Sequence, residues 1–328
     1  MRAHRLAILA GLGLAGIAAL ACNSLLGIED VTLGGDDGGN PFEDVTHPDV
    51  TRPDAPGDAP LGEIGPGVDV SDAGPPPEQT VALMSLTSCA KKIDGTGFCW
   101  GDDGAGEVGT GIPFDGGSRP DIPTPTRVAN VDDAVLLAAG YNHACVIRTS
   151  GQVSCWGYNY FGQLGNGKTQ VNASAPVDVV GLSDAITLAG GTVFTCAIKR
   201  GGSAVCWGAN YTGQLGNGSK TDSNVPVPVF GLTDAIAITA GDSHACALRA
   251  GGTVLCWGYN YSGQLGNGTT ADSLVPTPIA TLSNVRAIAA GGVSTCALLQ
   301  GGTMSCWGRT STVSSATAAR TRRRTPRR

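Results

Sequence analysis

All five tryptophans of this 328-residue chain lie in the same tripeptide, Cys-Trp-Gly, and a second cysteine stands ten positions before the cysteine of each tripeptide. The tryptophans follow one another at steps of 56, 51, 50 and 50 residues, at Trp100, Trp156, Trp207, Trp257 and Trp307. A fixed period near 50 residues indicates one supersecondary unit stacked on copies of itself, because such a unit cannot bury its apolar face alone. The repeat also argues against an enzyme, since catalytic residues should interrupt a repeat rather than follow it.

Each unit is built from short apolar runs that are separated by glycine-rich segments. One unit contains the runs 235–241, 242–249 and 253–258, followed by Gly-Gln-Leu-Gly-Asn-Gly and a proline-containing stretch. The chain has 50 glycines and few aromatic residues, which favours turn-rich β structure over helices. The sequence therefore predicts an all-β fold, a β-propeller of four-stranded blades of about 50 residues. Four and a half such blades are present.

Ten of the eleven cysteines form five pairs with constant spacing: Cys89 with Cys99, Cys145 with Cys155, Cys196 with Cys206, Cys246 with Cys256, and Cys296 with Cys306. In the fourth pair, a three-residue loop at 250–252 would place the two cysteines directly opposite each other in a hairpin. The third loop residue needs a left-handed conformation, and it is glycine in all five units: Gly95, Gly151, Gly202, Gly252 and Gly302. Opposed residues of a non-hydrogen-bonded pair are close enough for a disulfide, so five disulfides are predicted. Buried free thiols and a metal site remain as alternatives, although no Cys-x-x-Cys spacing supports a metal.

Three motifs of the units together resemble the regulator of chromosome condensation repeat. They are Ala-Gly-x-x-His at 139–143 and 240–244, the Cys-Trp-Gly tripeptide, and Gly-Gln-Leu-Gly-Asn-Gly at 162–167, 213–218 and 263–268. The kelch repeat has a similar length but lacks the Gly-Gln-Leu-Gly signature. The resemblance covers residues 80–308 and implies a seven-bladed propeller that grips a protein through one loop-covered face. The family includes the exchange factor of a eukaryotic small GTPase and a secreted bacterial β-lactamase inhibitor, so the resemblance alone assigns no partner.

The N-terminus has the pattern of an exported lipoprotein. Two arginines precede an apolar run at 6–20, which is too short to span a bilayer comfortably and indicates a signal peptide at 1–21. The small residue before Cys22 resembles the lipobox of bacterial lipoproteins, which implies cleavage at that point and lipid on Cys22. Asn23 at the next position favours the outer membrane or the cell surface. The alternative is an ordinary cleaved signal peptide followed by a spare cysteine.

The segments that flank the repeats are charged and of low complexity. Residues 22–79 are rich in Gly, Asp and Pro and carry 13 acids against one base, which predicts a disordered, solvated tether. The repeat region at 80–308 carries 14 acids and 11 bases without a basic stripe, which argues against nucleic acid as a partner.

Residues 309–328 carry seven arginines and no repeat motif. One interpretation is a basic tail that contacts an anionic surface. We favour another: GC-rich codons for residues 311–318 read Asp-Gly-Gln-Leu-Gly-Asp-Gly in a shifted frame, so the tail is a frameshifted repeat and the intact protein has more blades. An unclosed array would expose a sheet face at each end and favour self-association.

No set of side chains in the repeats suggests a reaction. His143 and His244 occupy equivalent places in two units, and we interpret both as structural residues that hydrogen-bond to a turn. The adjacent aspartates at 102–103 and 132–133 are not acid/base dyads if they lie in strands, because strand neighbours point to opposite faces. The sequence therefore predicts a protein that is not an enzyme, with no catalytic residue, no cofactor and no bound metal.

Aromatic side chains recur in the loop after Cys-Trp-Gly, at Tyr158, Tyr160, Phe161, Tyr211, Tyr259 and Tyr261. Tyrosine is a preferred anchor at protein interfaces, so we predict that these residues contact a protein partner; packing between blades is the alternative. The resulting hypothesis is a non-catalytic, lipid-anchored scaffold of the bacterial envelope that binds a protein. The alternatives are a carbohydrate-binding or carbohydrate-active propeller, and a regulator like a guanine-nucleotide exchange factor, which export would separate from cytosolic GTPases.

Overall fold

The computed structural model describes residues 81–83, 86–114 and 119–309, which form nineteen β-strands in five antiparallel sheets. The strands are β1 (Val81–Leu83), β2 (Thr87–Lys91), β3 (Gly97–Gly101), β4 (Ile122–Arg127), β5 (Ala134–Ala139), β6 (His143–Arg148), β7 (Val153–Gly157), β8 (Ala173–Asp178), β9 (Ala185–Gly190), β10 (Phe194–Lys199), β11 (Ala204–Gly208), β12 (Ser223–Pro228), β13 (Ala235–Ala240), β14 (His244–Arg249), β15 (Val254–Gly258), β16 (Ser273–Pro278), β17 (Val285–Gly291), β18 (Ser294–Leu299) and β19 (Met304–Gly308). The predicted signal peptide, Cys22, the tether and all but the first residue of the tail lie outside the described residues. Within the described ranges, no helical segment has the length and apolarity that crossing a bilayer requires.

Each sheet is a meander in chain order, and each corresponds to one sequence repeat. Four sheets have four strands and the last has three, which gives blade 1 (β1–β4), blade 2 (β5–β8), blade 3 (β9–β12), blade 4 (β13–β16) and blade 5 (β17–β19). The first strands of successive blades lie side by side, with β5 next to β9, β9 next to β13 and β13 next to β17. This arrangement of radial meanders around converging inner strands confirms the predicted propeller blades.

The central hairpin of every blade has the predicted register. Cys246 lies directly opposite Cys256, and the backbone N–H groups of Arg249 and Gly252 close the loop between them. All five loop glycines have a positive φ, between 74° and 88°. The five predicted cysteine pairs are joined as disulfides, with Cα atoms 4.0–4.1 Å apart. This short separation is that of a non-hydrogen-bonded antiparallel pair.

The hydrophobic core lies between blades rather than within any one of them. Trp257 of blade 4 is fully buried against Phe194, Ile198 and Leu215 of blade 3. Trp207 occupies the same place between blades 2 and 3, and Trp156 between blades 1 and 2. The prediction that the tryptophans form the core between blades is therefore correct for these interfaces.

The Cys-Trp-Gly and Gly-Gln-Leu-Gly motifs contact each other between neighbouring blades. The Trp257 indole N–H donates to the backbone carbonyl of Gln214, within the Gly-Gln-Leu-Gly segment of the preceding blade, at 3.0 Å. A Cβ atom on Gly216 of that segment would stand 2.7 Å from the same indole nitrogen, so only glycine leaves room for the ring. Equivalent indole hydrogen bonds join Trp156 to Glu107, Trp207 to Gln163 and Trp307 to Gln264. The motifs thus specify the packing of one blade on the next.

Candidate functional site

The loop after Cys-Trp-Gly is held rigid by a buried asparagine. In blade 3, Asn210 Oδ1 accepts the backbone N–H of Leu215 at 2.9 Å, and Asn210 Nδ2 donates to the carbonyls of Ser219 and Thr221 at 3.0 and 3.1 Å. The carboxylate of Asp222 accepts the Asn210 backbone N–H at 2.7 Å. Asn159 and Asn260 hold the loops of blades 2 and 4 in the same way. These internal bonds fix the loop before any partner arrives.

The predicted contact residues project from these rigid loops. Tyr160, Tyr211 and Tyr261 occupy equivalent positions and are 50%, 50% and 77% exposed. Tyr158 stacks on Tyr160 with ring centroids 6.3 Å apart, and Tyr259 stacks on Tyr261 at 6.5 Å. The structure therefore groups Tyr158, Tyr160 and Phe161 into one cluster and Tyr259 with Tyr261 into a second. Tyr211 stands in blade 3 between them, with its hydroxyl 3.4 Å from Ser243 Oγ.

A groove that was not foreseen opens beside the blade 2 cluster. Tyr160, Phe161, Thr169 and Gln170 form its blade 2 side, residues 222–224 form its blade 3 side, and its volume is about 450 Å³. Sequence reasoning missed the residues of this groove other than the two aromatics. The loop length in the sequence could have revealed this groove. The backbone N–H of the anchoring asparagine donates to a side chain that lies 13 residues later in blade 2, but 12 residues later in blades 3 and 4.

The two histidines are structural, but their predicted partner was wrong. His143 is completely buried, and its Nε2 lies 2.8 Å from the hydroxyl of Thr195 in the next blade rather than against a turn. The Thr195 hydroxyl donates to the carbonyl of Gln163, so His143 Nε2 carries the proton and donates to Thr195. His244 makes the same contact with Thr295. Burial lowers the pKa of both histidines to about 4, so both are neutral at physiological pH.

Strand geometry does not apply to the adjacent aspartates, contrary to the premise of the sequence-based argument. Neither pair lies in a strand: 102–103 follows β3 and 132–133 precedes β5. Their carboxylates are held by structural partners instead. Asp103 accepts the backbone N–H of Val108 at 3.0 Å and forms an ion pair with Arg119. Asp133 pairs with Arg148.

Blade 1 contains a buried acid that sequence reasoning did not single out. Glu107 is 2% exposed and stands where blades 2, 3 and 4 have glutamine. Its carboxylate accepts the backbone N–H of Ala105 at 2.7 Å, as the Gln163 side-chain oxygen accepts that of Phe161 at 3.0 Å. Burial, reinforced by nearby Asp102 and Asp103, raises the pKa of Glu107 to about 7.

A second cavity lies where the inner strands converge. It measures about 340 Å³ and is lined mainly by glycine and alanine, with the side chains of Tyr141, Thr192 and Asp242 at its edge. Asp242 supplies the single carboxylate among the described residues that line this cavity. In the described part of the chain, no group of three or more His, Cys, Asp or Glu residues is placed to hold a metal ion.

Two family models match the blades. The regulator of chromosome condensation (RCC1) repeat matches residues 150–198, 202–248 and 251–298, and a second model of the same repeat matches 134–163 and 235–264. Residues 134–298 are RCC1 repeats. The matched segments straddle the blade boundaries, because each covers the third and fourth strands of one blade and the first two strands of the next.

The curated relatives align with this chain over only a small part of their own length. The chain is 30% identical over 151 residues to the probable E3 ubiquitin-protein ligase HERC3 of Homo sapiens. The aligned region covers 44% of this chain and 14% of that protein. It is 29% identical over 146 residues to the ultraviolet-B receptor UVR8 of Arabidopsis thaliana, covering 43% of this chain and 32% of the receptor. These RCC1 relatives share the repeats, and the chain spans less than a third of their length.

Solved RCC1 propellers have the same fold. Human WBSCR16 superposes with a TM-score of 0.62 and 23% identity, covering 70% of this chain and 61% of that one. Prp20p of Saccharomyces cerevisiae, whose binding to Gsp1p and histones was studied with its structure, superposes with a TM-score of 0.60 and 25% identity, covering 70% and 57%. The blades of this chain are therefore built and stacked as in these RCC1 propellers.

Proposed function

We propose that this chain is a non-catalytic RCC1 propeller that binds a protein partner through the aromatic loops of blades 2 to 4 and is held at a bacterial membrane by lipid on Cys22. The observation that carries the proposal is the row of exposed tyrosines at equivalent positions of consecutive blades, each on a loop that is fixed by its own buried asparagine. A preordered aromatic surface binds with little loss of conformational entropy. The yeast propeller Prp20, solved in complex with Kap60, provides the analogy of a propeller that engages a protein.

Export is supported by the disulfides. Five cysteine pairs joined across five hairpins are compatible with an oxidising compartment. Replacing Cys22 by serine should abolish incorporation of labelled fatty acid and move the protein from the membrane fraction to the soluble fraction. A Cys22→Ser variant that stays membrane-bound and still carries the label would refute the lipid anchor.

The binding surface is tested by quantitative capture of envelope proteins on the full chain. Tyr259→Ala combined with Tyr261→Ala should weaken capture of a partner at least about tenfold if these residues are interface anchors. Tyr141→Ala is the matched control, because Tyr141 is 45% exposed but lies on a different loop. Equal capture by the wild type, the double variant and the Tyr141→Ala control would show that the blade 4 tyrosines are not part of the binding site.

A further inference from the structure

The groove between blades 2 and 3 is a place where the repeat is broken. The loop of blade 2 is one residue longer than its counterparts, since Asn159 and Asn172 are 13 positions apart where Asn210 and Asp222 are 12 apart. Gln170 falls in this extended segment and has a φ of 59°, a left-handed conformation that is uncommon for a residue other than glycine. Its backbone N–H donates to the carbonyl of Asn159 at 2.8 Å, which holds this conformation. The local fold thus fixes the backbone of Gln170, and with it the direction in which the side chain leaves the chain at the groove.

Aromatic faces form one side of this groove. Phe161 packs edge-on against Tyr160 with centroids 5.1 Å apart and planes at 71°, and Tyr160 stacks in turn on Tyr158. Blades 3 and 4 have Thr212 and Ser262 at the position of Phe161. Blade 4 repeats the stacked tyrosine pair with Tyr259 and Tyr261, so Phe161 is the aromatic residue that distinguishes this groove from the repeat.

Neutral hydrogen-bonding side chains and one carboxylate form the rest of the groove. Thr169 and Gln170 line it from blade 2, and Ser223 and Asn224 line it from blade 3. Asn224 is fixed by donating its side-chain N–H to the carbonyl of Gly167 at 2.9 Å. Asp222 supplies the sole charge among the lining residues, and its carboxylate already accepts the Asn210 backbone N–H.

This combination selects one chemical class of ligand. An anion would require a cationic side chain, and Lys, Arg and His are absent from the lining residues. A wholly apolar ligand would leave the amides and hydroxyls of the groove without partners. A sugar ring offers both an apolar C–H face for an aromatic side chain and hydroxyls for Gln, Asn, Ser and Thr. The volume of about 450 Å³ lies in the range of small-molecule sites.

We propose that the groove formed by Tyr160, Phe161, Gln170 and Asn224 is a binding site for a neutral saccharide. The sugar stacks on the aromatic cluster of blade 2, and the amides of Gln170 and Asn224 bind its hydroxyls. This site is separate from the blade 4 tyrosines that test protein binding, and it needs no catalytic group. It goes beyond the proposed function by adding a glycan site at the blade 2 end of the tyrosine row, with which it shares Tyr160.

The test is titration of the purified full chain with maltotetraose, cellotetraose and chitotetraose by calorimetry and ligand-observed NMR. At least one of the three is expected to bind. Phe161→Thr, which installs the residue type of blade 3, should weaken that binding at least about tenfold. Deletion of Gln170, which restores the loop length of blades 3 and 4, should do the same. Tyr261→Ala is the control and should bind normally, and circular dichroism and the thermal midpoint verify the fold of each variant.

Three outcomes overturn the proposal. The first is no detectable binding of any of the three saccharides at about 10 mM. The second is binding that neither Phe161→Thr nor the Gln170 deletion weakens, since the sugar would then lie elsewhere. The third is binding of tetramethylammonium at the same groove in place of sugar, which would make the aromatic cluster and Asp222 a cation site. Loss of protein capture in the blade 4 variant has no bearing on these results, so the two proposals fail independently.

Discussion

Replacing Glu107 by glutamine should stabilise the propeller at neutral and alkaline pH but not in acid. Glu107 is buried at the junction of blades 1 and 2, where its backbone carbonyl accepts the Trp156 indole N–H at 2.8 Å. Blades 2 to 4 have glutamine at this position, and the side-chain oxygen of Gln214 accepts a backbone N–H just as the Glu107 carboxylate does. The fold therefore accepts a neutral amide here, and an ionised carboxylate is the exception.

The sign and size of the effect follow from the pKa of Glu107, which burial raises from 4.5 to about 7. Because the pKa of Glu107 is higher in the folded than in the unfolded protein, protonation of Glu107 stabilises the fold. This stabilisation is fully present below pH 4.5 and is lost as the pH rises through about 7. The difference between the folded and unfolded pKa values corresponds to at most about 3 kcal/mol. Relaxation of the loop and entry of water reduce this figure, so we expect Glu107→Gln to gain about 1–3 kcal/mol above pH 8 and almost nothing at pH 4.5.

The measurement is the guanidinium midpoint of wild type and variant, with disulfides intact, at about pH 4.5, 7 and 8.5. His143 and His244 titrate equally in both proteins, so the difference between the two curves isolates Glu107. The reciprocal change, Gln214→Glu, should transfer the same loss of stability at high pH to blade 3. Parallel curves for Glu107→Gln and wild type at all pH values would refute the reasoning.

Two further predictions concern the contacts between blades, and a third concerns the disulfides within them. Gly241→Ala should lower the free energy of unfolding by at least ~2 kcal/mol, because the new Cβ would stand 2.6 Å from the Gly292 carbonyl oxygen. Gly251→Ala is the control: no atom lies within 4 Å of a Cβ at that position, so it should be almost neutral in the same chemical denaturation. Thr195→Ala should cost about 1–3 kcal/mol by leaving the His143 Nε2 proton without an acceptor, and adding His143→Phe should recover most of that loss in a double-mutant cycle. Reduction of the disulfides by dithiothreitol should lower the thermal midpoint, since each closes a loop of 10 residues and contributes roughly 2–3 kcal/mol; an unchanged midpoint after complete reduction would contradict it.

The elements that could be predicted from the sequence are those that local spacing determines. Cys246 and Cys256 flank a loop whose third residue is glycine, and this local geometry is enough to set the hairpin register and the cysteine pairing. The repeat of Trp257 and its equivalents likewise required a core shared between units. In the first case the paired residue lies ten positions away, and in the second the same residue recurs at a fixed interval.

The groove and the buried acid could not be predicted in this way. Gln170 and Asn224 are far apart in sequence and meet only because blade 3 packs on blade 2. Glu107 looks like a surface residue in the sequence, and only the indole of Trp156 packed over its loop makes it a buried acid. Both features depend on which blade covers which loop, and that information is absent from local patterns.

The contacts between blades alternate in chemistry from blade 2 to blade 5. His143 of blade 2 pairs with Thr195 of blade 3, and His244 of blade 4 pairs with Thr295 of blade 5. Between them, Phe194 of blade 3 stands at the histidine position, and the residue at the threonine position of blade 4 is alanine. A histidine facing alanine would leave a buried N–H without an acceptor, whereas a phenylalanine facing threonine would remove only the donor to a hydroxyl that still donates to a backbone carbonyl. Each of these interfaces therefore uses a matched pair, histidine with threonine or phenylalanine with alanine, and the repeat alone does not dictate which.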